Sequence, residues 1–255
     1  MNNNQYIKKI SDDLWELGVK ESGILLVHSS FKSLGEVAGG PATVIRGIQL
    51  ALGDKGTLLM PTLTNKSVDG DENNIFSSKD TPSEVGALTE YFRTMDGVRR
   101  SMNPTHSVCG MGRYADELLK SHKNDDTPCG PHSPYKILGE VGGQILFIGC
   151  GLNINTSMHA IEEVMQPPYI FTEDIQYKMY NENREKNYSY YKKQAFKDVV
   201  PRYDRLEKIL PKGEGIRKGR VLGADCYLIE AKEMWKFSKK MMERNPMYFV
   251  DVIGE

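Results

Sequence analysis

"ILFIGCGLNINTSMHAIEE", residues 145–163, holds two patterns whose junction decides the fold. Ile145-Leu146-Phe147-Ile148 is an unbroken apolar run, as expected of a strand buried on both faces. Gly149-Cys150-Gly151 ends it, and a helix is expected to open near Thr156, with Asn155 or Thr156 as its cap. The same alternation recurs outward from this point. Ile24-Leu25-Leu26-Val27 is a second buried strand, ending in His28-Ser29-Ser30, and Thr57-Leu58-Leu59-Met60 is a third.

Helical spacing lies between the strands. Ile7, Ile10, Leu14 and Leu17 mark a face over residues 5–19, closed by Gly18. Pro41 opens a helix to about Leu52, with Val44, Ile45, Ile48 and Leu52 on one side. Further helices are expected over 84–95, 114–122 and 231–244, and strands near Val108 and over 219–229. Residues 170–195 read as an aromatic-rich hairpin with Asn181 and Asn183 near its turn. Two long polar stretches, 64–83 and 123–134, read as loops, and loops of that length in a compact domain are usually functional or disordered. The pattern predicts an α/β fold with a mixed sheet covered on both faces. Residues 1–255 are expected to form one domain, elaborated from about residue 170.

Composition narrows the function classes. The chain has 255 residues, 39% hydrophobic, with a formal net charge of −1. That balance gives no global attraction to nucleic acid. No run of about 20 apolar residues suggests a membrane span, and residues 1–5 do not begin a secretory signal. Cys109, Cys129, Cys150 and Cys226 are widely spaced, which argues against a disulfide framework or zinc ribbon and for a reducing, cytoplasmic setting.

Ligands of α/β sheets gather beyond the C-terminal ends of the strands. His28 and His159 fall there. His159 would lie in the first turn of its helix, with Glu162 three residues on and Glu163 four on, so either acid could share its face. A carboxylate beside imidazole fixes the tautomer and favours the cation once a proton is taken, which is what a general base requires. The alternative is a surface histidine with two solvated acids. His106 and His132 sit in Pro- and Ser-rich loops, and His122 reads as an exposed surface residue. His28-Ser29-Ser30 leads to Gly35, Gly39, Gly40 and Pro41, which suits an anion or an amide-rich chain, or else a serine-capped turn. Residues 127–134 hold three prolines and a glycine, a restricted loop that could wall a tunnel or merely connect. His106, Cys109, Cys129, His132 and His159 lack the spacing of known zinc sites. No Gly-x-Ser-x-Gly element is present.

Four blocks, "LLVHSSFKSLGEVAGGPATVIRGIQLALGDKGTLLMPTLT" (25–64), "TPSEVGALTEYFRTMDGVRRSMNPTHSVCGMG" (81–112), "TPCGPHSPYKILGEVGGQILFIGCGLNINTSMHAIEE" (127–163) and "GRVLGADCYLIEAKEMWKF" (219–237), resemble the aminoglycoside 3-N-acetyltransferase family in order and over nearly the whole chain. The resemblance implies a three-layer α/β/α fold, acetyl-CoA as acyl donor, no metal, and a small-molecule amine as acceptor. It maps Thr156, His159 and Glu162 onto the family's Thr-x-x-His-x-x-Glu block, with the histidine as base and the glutamate as its partner. It further implies a coenzyme A channel lined by Ser29, Ser30, Leu34, Gly35, His106, Ser107 and the loop holding Thr127, Pro128, Gly130 and Ser133, and it suggests a homodimer. The family commonly has histidine where this chain has Asn103, so the acceptor side, where Asn103, Thr156, Glu163 and Asp225 are candidates, is expected to differ. Asp69, Asp71, Glu72, Asp80, Glu173 and Asp174 are other acids that a polycationic acceptor would need. A non-antibiotic amino sugar or nucleotide sugar is the alternative acceptor. A metal-assisted amidohydrolase and a non-catalytic coenzyme A binder are the alternative classes.

Overall fold

A computed structural model describes residues 1–64, 74–194, 196 and 198–254. The strands in chain order are β1 (Ile24–Ser29), β2 (Thr57–Pro61), β3 (Ile75–Ser77), β4 (Arg99–Arg100), β5 (Val108–Gly112), β6 (Gln144–Ile148), β7 (Phe171–Tyr180), β8 (Lys186–Gln194), β9 (Val199–Pro201), β10 (Ile216–Val221), β11 (Ala224–Glu230) and β12 (Val250–Val252). The α-helices are α1 (Asn3–Leu17), α2 (Gly40–Leu52), α3 (Ala87–Arg93), α4 (Ala115–Leu119), α5 (Pro134–Glu140), α6 (Ser157–Met165), α7 (Leu206–Ile209) and α8 (Ala231–Arg244).

The three apolar runs form the parallel centre of a seven-stranded sheet ordered β10-β11-β6-β1-β2-β5-β4. β5 and β4 extend it antiparallel beyond β2, and β11 and β10 beyond β6. Successive strand residues enter opposite cores. Leu25 and Val27 pack with Ile10 and Leu14 of α1, Val44 and Ile48 of α2 and Leu88 of α3. Leu26, Ile145 and Phe147 pack with Leu118 of α4, Leu138 of α5, Ile161 of α6 and Met234 of α8. Helices therefore cover both faces, which is why these strands are apolar at every position rather than at alternate ones.

The α/β class and the mixed sheet are as the sequence predicts, but several details differ. The hairpin expected over 170–195 forms between β7 and β8, its turn closed by Asn181 Oδ1 accepting the N–H groups of Asn183 (3.0 Å) and Glu185 (2.9 Å). The hairpin leaves the main sheet and pairs with β3 in a three-stranded sheet of its own. Among the described residues, Phe76, Tyr177, Met179 and Tyr191 form its buried apolar cluster, and the alternation of polar and aromatic residues suits a sheet covered on one face. The strand expected over 219–229 is a hairpin of two, β10 and β11, turning at Leu222, whose φ is +53°. The helix expected over 84–95 is only α3, and that over 114–122 breaks after α4 into a 3-10 turn at His122–Asn124.

One turn positions the site. At the end of β6, Gly149 has φ +61°, and a Cβ there would lie 1.6 Å from Ser33 Oγ. Its N–H donates to Asp225 O (2.8 Å), and Ser30 N–H donates to Ile148 O (2.8 Å), so the ends of β1, β6 and β11 are tied where the chain departs for α6. Among the described residues, no helix is long and apolar enough to cross a membrane.

Candidate active site

Helix α6 starts as predicted, and the two expected cap residues share the role. Thr156 holds the cap position in a helical conformation without a side-chain bond, while Asn155 Oδ1 accepts the N–H of Ser157 (3.2 Å). The i, i+3 spacing then brings His159 and Glu162 together. His159 Nδ1 lies 3.1 Å from Glu162 Oε2. Tyr203 Oη donates to that same oxygen (2.8 Å) and stands 3.1 Å from His159 Nδ1. Tyr169 Oη donates to Glu162 Oε1 (2.9 Å).

Glu162 is fully buried, and three donors surround its carboxylate. Burial pushes the hydroxyls of Tyr203 and Tyr169 above the ordinary tyrosine range, the adjacent Glu162 adding to it, so both remain donors. The arrangement assigns the His159 proton to Nδ1 and leaves the lone pair on Nε2. The His159 side chain is 14% exposed. Its ring meets Phe196 (5.3 Å between centroids), His106 edge-on (5.6 Å) and Tyr203 (5.8 Å). Burial, and then the positive charge His159 can carry, pulls His106 well below the usual histidine range and His28 down to about 3. Neutral imidazole rings thus flank His159.

Glu163 faces another way. Its carboxylate accepts from Thr127 Oγ1 and from the N–H of Cys129 (2.6 Å), and burial pushes it up to about 7. It was expected on the acceptor side; instead it braces the 127–134 loop. His122 holds the same loop. Expected on the surface, it is fully buried, because both ring nitrogens find partners: Ser101 Oγ (2.9 Å) and Pro128 O (3.1 Å). Burial lowers it to about 4. Asn103 is a third support. It too is fully buried, donating from Nδ2 to Thr127 O (3.0 Å) and accepting at Oδ1 from the N–H groups of His106 (2.8 Å) and Thr105 (3.2 Å). These bonds tie it to His106 and Thr127. Asn103→Ala is expected to lower stability by about 2 kcal/mol, since it strips partners from one buried and two half-buried backbone groups; urea unfolding checks this, and a change below about 0.5 kcal/mol would contradict it.

The remaining expected residues are distributed as follows. Ser29 and Ser30 are half-buried at the end of β1, and Leu34 is buried in a 3-10 turn at Phe31–Leu34. Ser107 Oγ accepts from Arg100 Nε (2.9 Å) and donates to Thr62 O (2.9 Å), so the hydroxyl expected in the channel is engaged internally. Ser133 Oγ likewise caps α5, accepting from Lys136 N–H (3.2 Å). Gly130 lies against Asp125. Asp225 is exposed at the start of β11, paired with Arg220 (2.9 Å). Glu173 faces Lys193 (4.0 Å) and Asp80 faces Arg184 (3.5 Å). Asp69, Asp71 and Glu72 lie outside the described residues. Among the described residues, no three His, Cys, Asp or Glu side chains stand close enough to share a metal ion, and His132 is engaged with Asp125 (2.8 Å).

Open space lies at the strand ends, at Gly35 and Gly151. His28 stacks on Phe147 (4.9 Å), and its Nε2 is buried without a partner. A Cβ built on Gly35 or Gly151 would meet nothing within 4 Å. A separate cleft of about 1050 Å³ opens along the β4 edge, lined by Lys79, Arg93, Arg99, Lys120, Lys123 and Glu182 among others. None of the His159 cluster lines it, so side-chain chemistry rather than volume places the candidate site. Tyr169 and Tyr203 escaped the sequence reading, for they stand 7 and 41 residues from Glu162.

A sequence profile of the family described as aminoglycoside 3-N-acetyltransferase matches residues 26–243. Aminoglycoside N(3)-acetyltransferase III of a Salmonella species is 28% identical over 264 aligned positions, covering 93% of this chain and 91% of that protein. Aminoglycoside N(3)-acetyltransferase IV, also of Salmonella, is 34% identical over 159 positions, 61% of this chain and 58% of that protein. Among solved structures, a histidine-to-alanine variant of aminoglycoside acetyltransferase AAC(3)-IVa in complex with gentamicin superposes with a TM-score of 0.81 at 25% identity, covering 94% of this chain and 89% of the other. AAC-IIIb in binary complex with CoASH shares the fold, with a TM-score of 0.79 at 20% identity over 96% and 97% of the two chains. The chain belongs to the aminoglycoside 3-N-acetyltransferase family.

Proposed function

We propose that this protein moves an acetyl group from acetyl-CoA to an amino group of an aminoglycoside or related amino sugar, with His159 as general base and Glu162 as its orienting partner. The His159–Glu162 contact carries the reading, because it engages Nδ1 and leaves Nε2 as the nitrogen that can accept a proton. An ammonium group has no lone pair and cannot attack a thioester. His159 Nε2 takes its proton, directly or through a water. As nitrogen bonds to the acetyl carbon and the carbon–sulfur bond breaks, the imidazolium, stabilised by Glu162, returns a proton to the departing sulfur. No acyl-enzyme is required. Donors at the end of β1 around Ser29 and Ser30 are the groups left to stabilise the carbonyl oxygen as it gains charge, the Ser107 hydroxyl being engaged. The four cysteines are free thiols, which supports a reducing, cytoplasmic setting.

The acceptor has a second reading, an amino sugar with fewer positive charges than an aminoglycoside. The described acids support it, since Glu163, Asp225, Glu173 and Asp80 each face a partner within the protein. A thiol-release assay with acetyl-CoA against aminoglycosides and monoamino sugars tests both. Free CoA with N-acetylated product is expected, and the responding panel chooses the acceptor class. No release with either panel would overturn the proposal.

A further inference from the structure

Two hydroxyls from outside α6 close on Glu162, and neither reaches the open side of His159. We infer that Tyr203 and Tyr169 are positioning residues, which hold the Glu162 carboxylate with one acceptor place aimed at His159 Nδ1 and so make Nε2 the basic nitrogen. The inference rests on His159 acting as the base.

Tyr169 takes Oε1 and Tyr203 takes Oε2, which leaves Oε2 to accept the Nδ1 proton as well. With both hydroxyls donating, the carboxylate cannot rotate without breaking a buried hydrogen bond. Tyr203 is itself anchored. Its neighbour Arg202 donates its N–H to Phe249 O (2.7 Å) and pairs with Asp204 (2.9 Å) and Asp251. Asp204 N–H donates to Asn153 Oδ1 (2.8 Å), in the turn just before α6. The segment after β8 and the start of the catalytic helix are thus bound together through the residue adjoining Tyr203.

The groups facing the His159 ring are Glu162 from its own helix (its other oxygen accepts from Tyr169 of the segment after α6), Tyr203, His106 from the 103–107 loop and His28 from β1. Phe196 adds an apolar contact, and Cys129, near Glu162 and Tyr203, is held as the neutral thiol by burial. When the ring is neutral, the two tyrosines are the chief support of a buried anion. When the ring is charged, the ion pair supports itself. Removing a hydroxyl therefore destabilises the neutral-ring state more, and the ring should become more basic.

Imidazole ¹⁵N NMR over pH, on wild type, Tyr203→Phe and Tyr169→Phe, tests this alongside steady-state kinetics. The expected result is an upward shift of the His159 titration and of the acid limb of kcat/KM by about half a unit to one unit in each variant. Turnover should fall about 10–100-fold, the range seen when a group that orients a functional histidine is lost, with KM for acetyl-CoA little changed. Unmoved titration and unmoved Nδ1 protonation in both variants would overturn the inference. Should Tyr203→Phe fail to fold, Tyr169→Phe decides it. Because the NMR readout needs no turnover, failure of the acetyltransferase reading would show separately, as a wild type that releases no CoA.

Discussion

His159→Ala is expected to lower turnover by about 10²–10⁴-fold, the usual contribution of a positioned general base. The ring stands at the start of α6 with Nδ1 engaged by Glu162, so its removal deletes the group proposed to take a proton from the incoming amine. Acetyl-CoA binding should persist, because the 127–134 loop is held by Glu163, His122 and Asn103 rather than by His159. A fall in kcat with unchanged affinity for acetyl-CoA separates lost chemistry from lost binding. Calorimetry with CoA and stopped-time thiol release supply the two numbers. A variant within about threefold of wild-type turnover would remove His159 from the mechanism.

Acid should unfold this protein early. His28, His106 and His122 are buried and neutral, with folded-state values pulled below the ordinary 6.5: to about 3 for His28, to about 4 for His122, and well down for His106. The unfolded chain binds protons at these positions before the folded one does. The stability they confer is complete above pH 6.5 and is lost as pH falls toward 4 and below. It amounts to roughly 3–5 kcal/mol each for His122 and His28. Glu163 acts in the opposite sense. Its folded value is raised from 4.5 to about 7, so acidification over that window restores roughly 3 kcal/mol. The histidines dominate, and a net loss on the order of 5 kcal/mol between pH 6.5 and 4 is expected, a large part of the stability of a typical domain. Urea midpoints measured across that range check it. A flat or rising midpoint on acidification would contradict the burial of these rings.

The parallel centre of the sheet was legible because a strand buried on both faces must be apolar at every position, as Ile145–Ile148 is. The terminal helix was legible to the residue, Ala231–Arg244. The independence of the β3-β7-β8 sheet was not, since an alternating hairpin reads the same whichever sheet it joins. In the site, the His159–Glu162 pair was readable from spacing on one helix. Glu163 was ambiguous by that same rule, for adjacent residues lie about 100° apart on a helix, and only the position of Thr127 shows which way it faces. Tyr203 could not be found by spacing at all, as a 41-residue separation carries no local signal. His122 misled because its Lys and Asp neighbours suggest solvent, while its partners, Ser101 and Pro128, come from separate segments that meet only in the folded chain.

A structure of the protein with CoA bound would test the central claim most directly, through the position of the sulfur relative to His159. The account predicts the sulfur on the open side of the ring, separated from Nε2 by little more than the space of an attacking nitrogen, which places reacting atoms about 3–3.5 Å apart. A thiol lodged elsewhere, such as in the cleft along β4, or a ring rotated so that Nε2 meets Glu162, would contradict it.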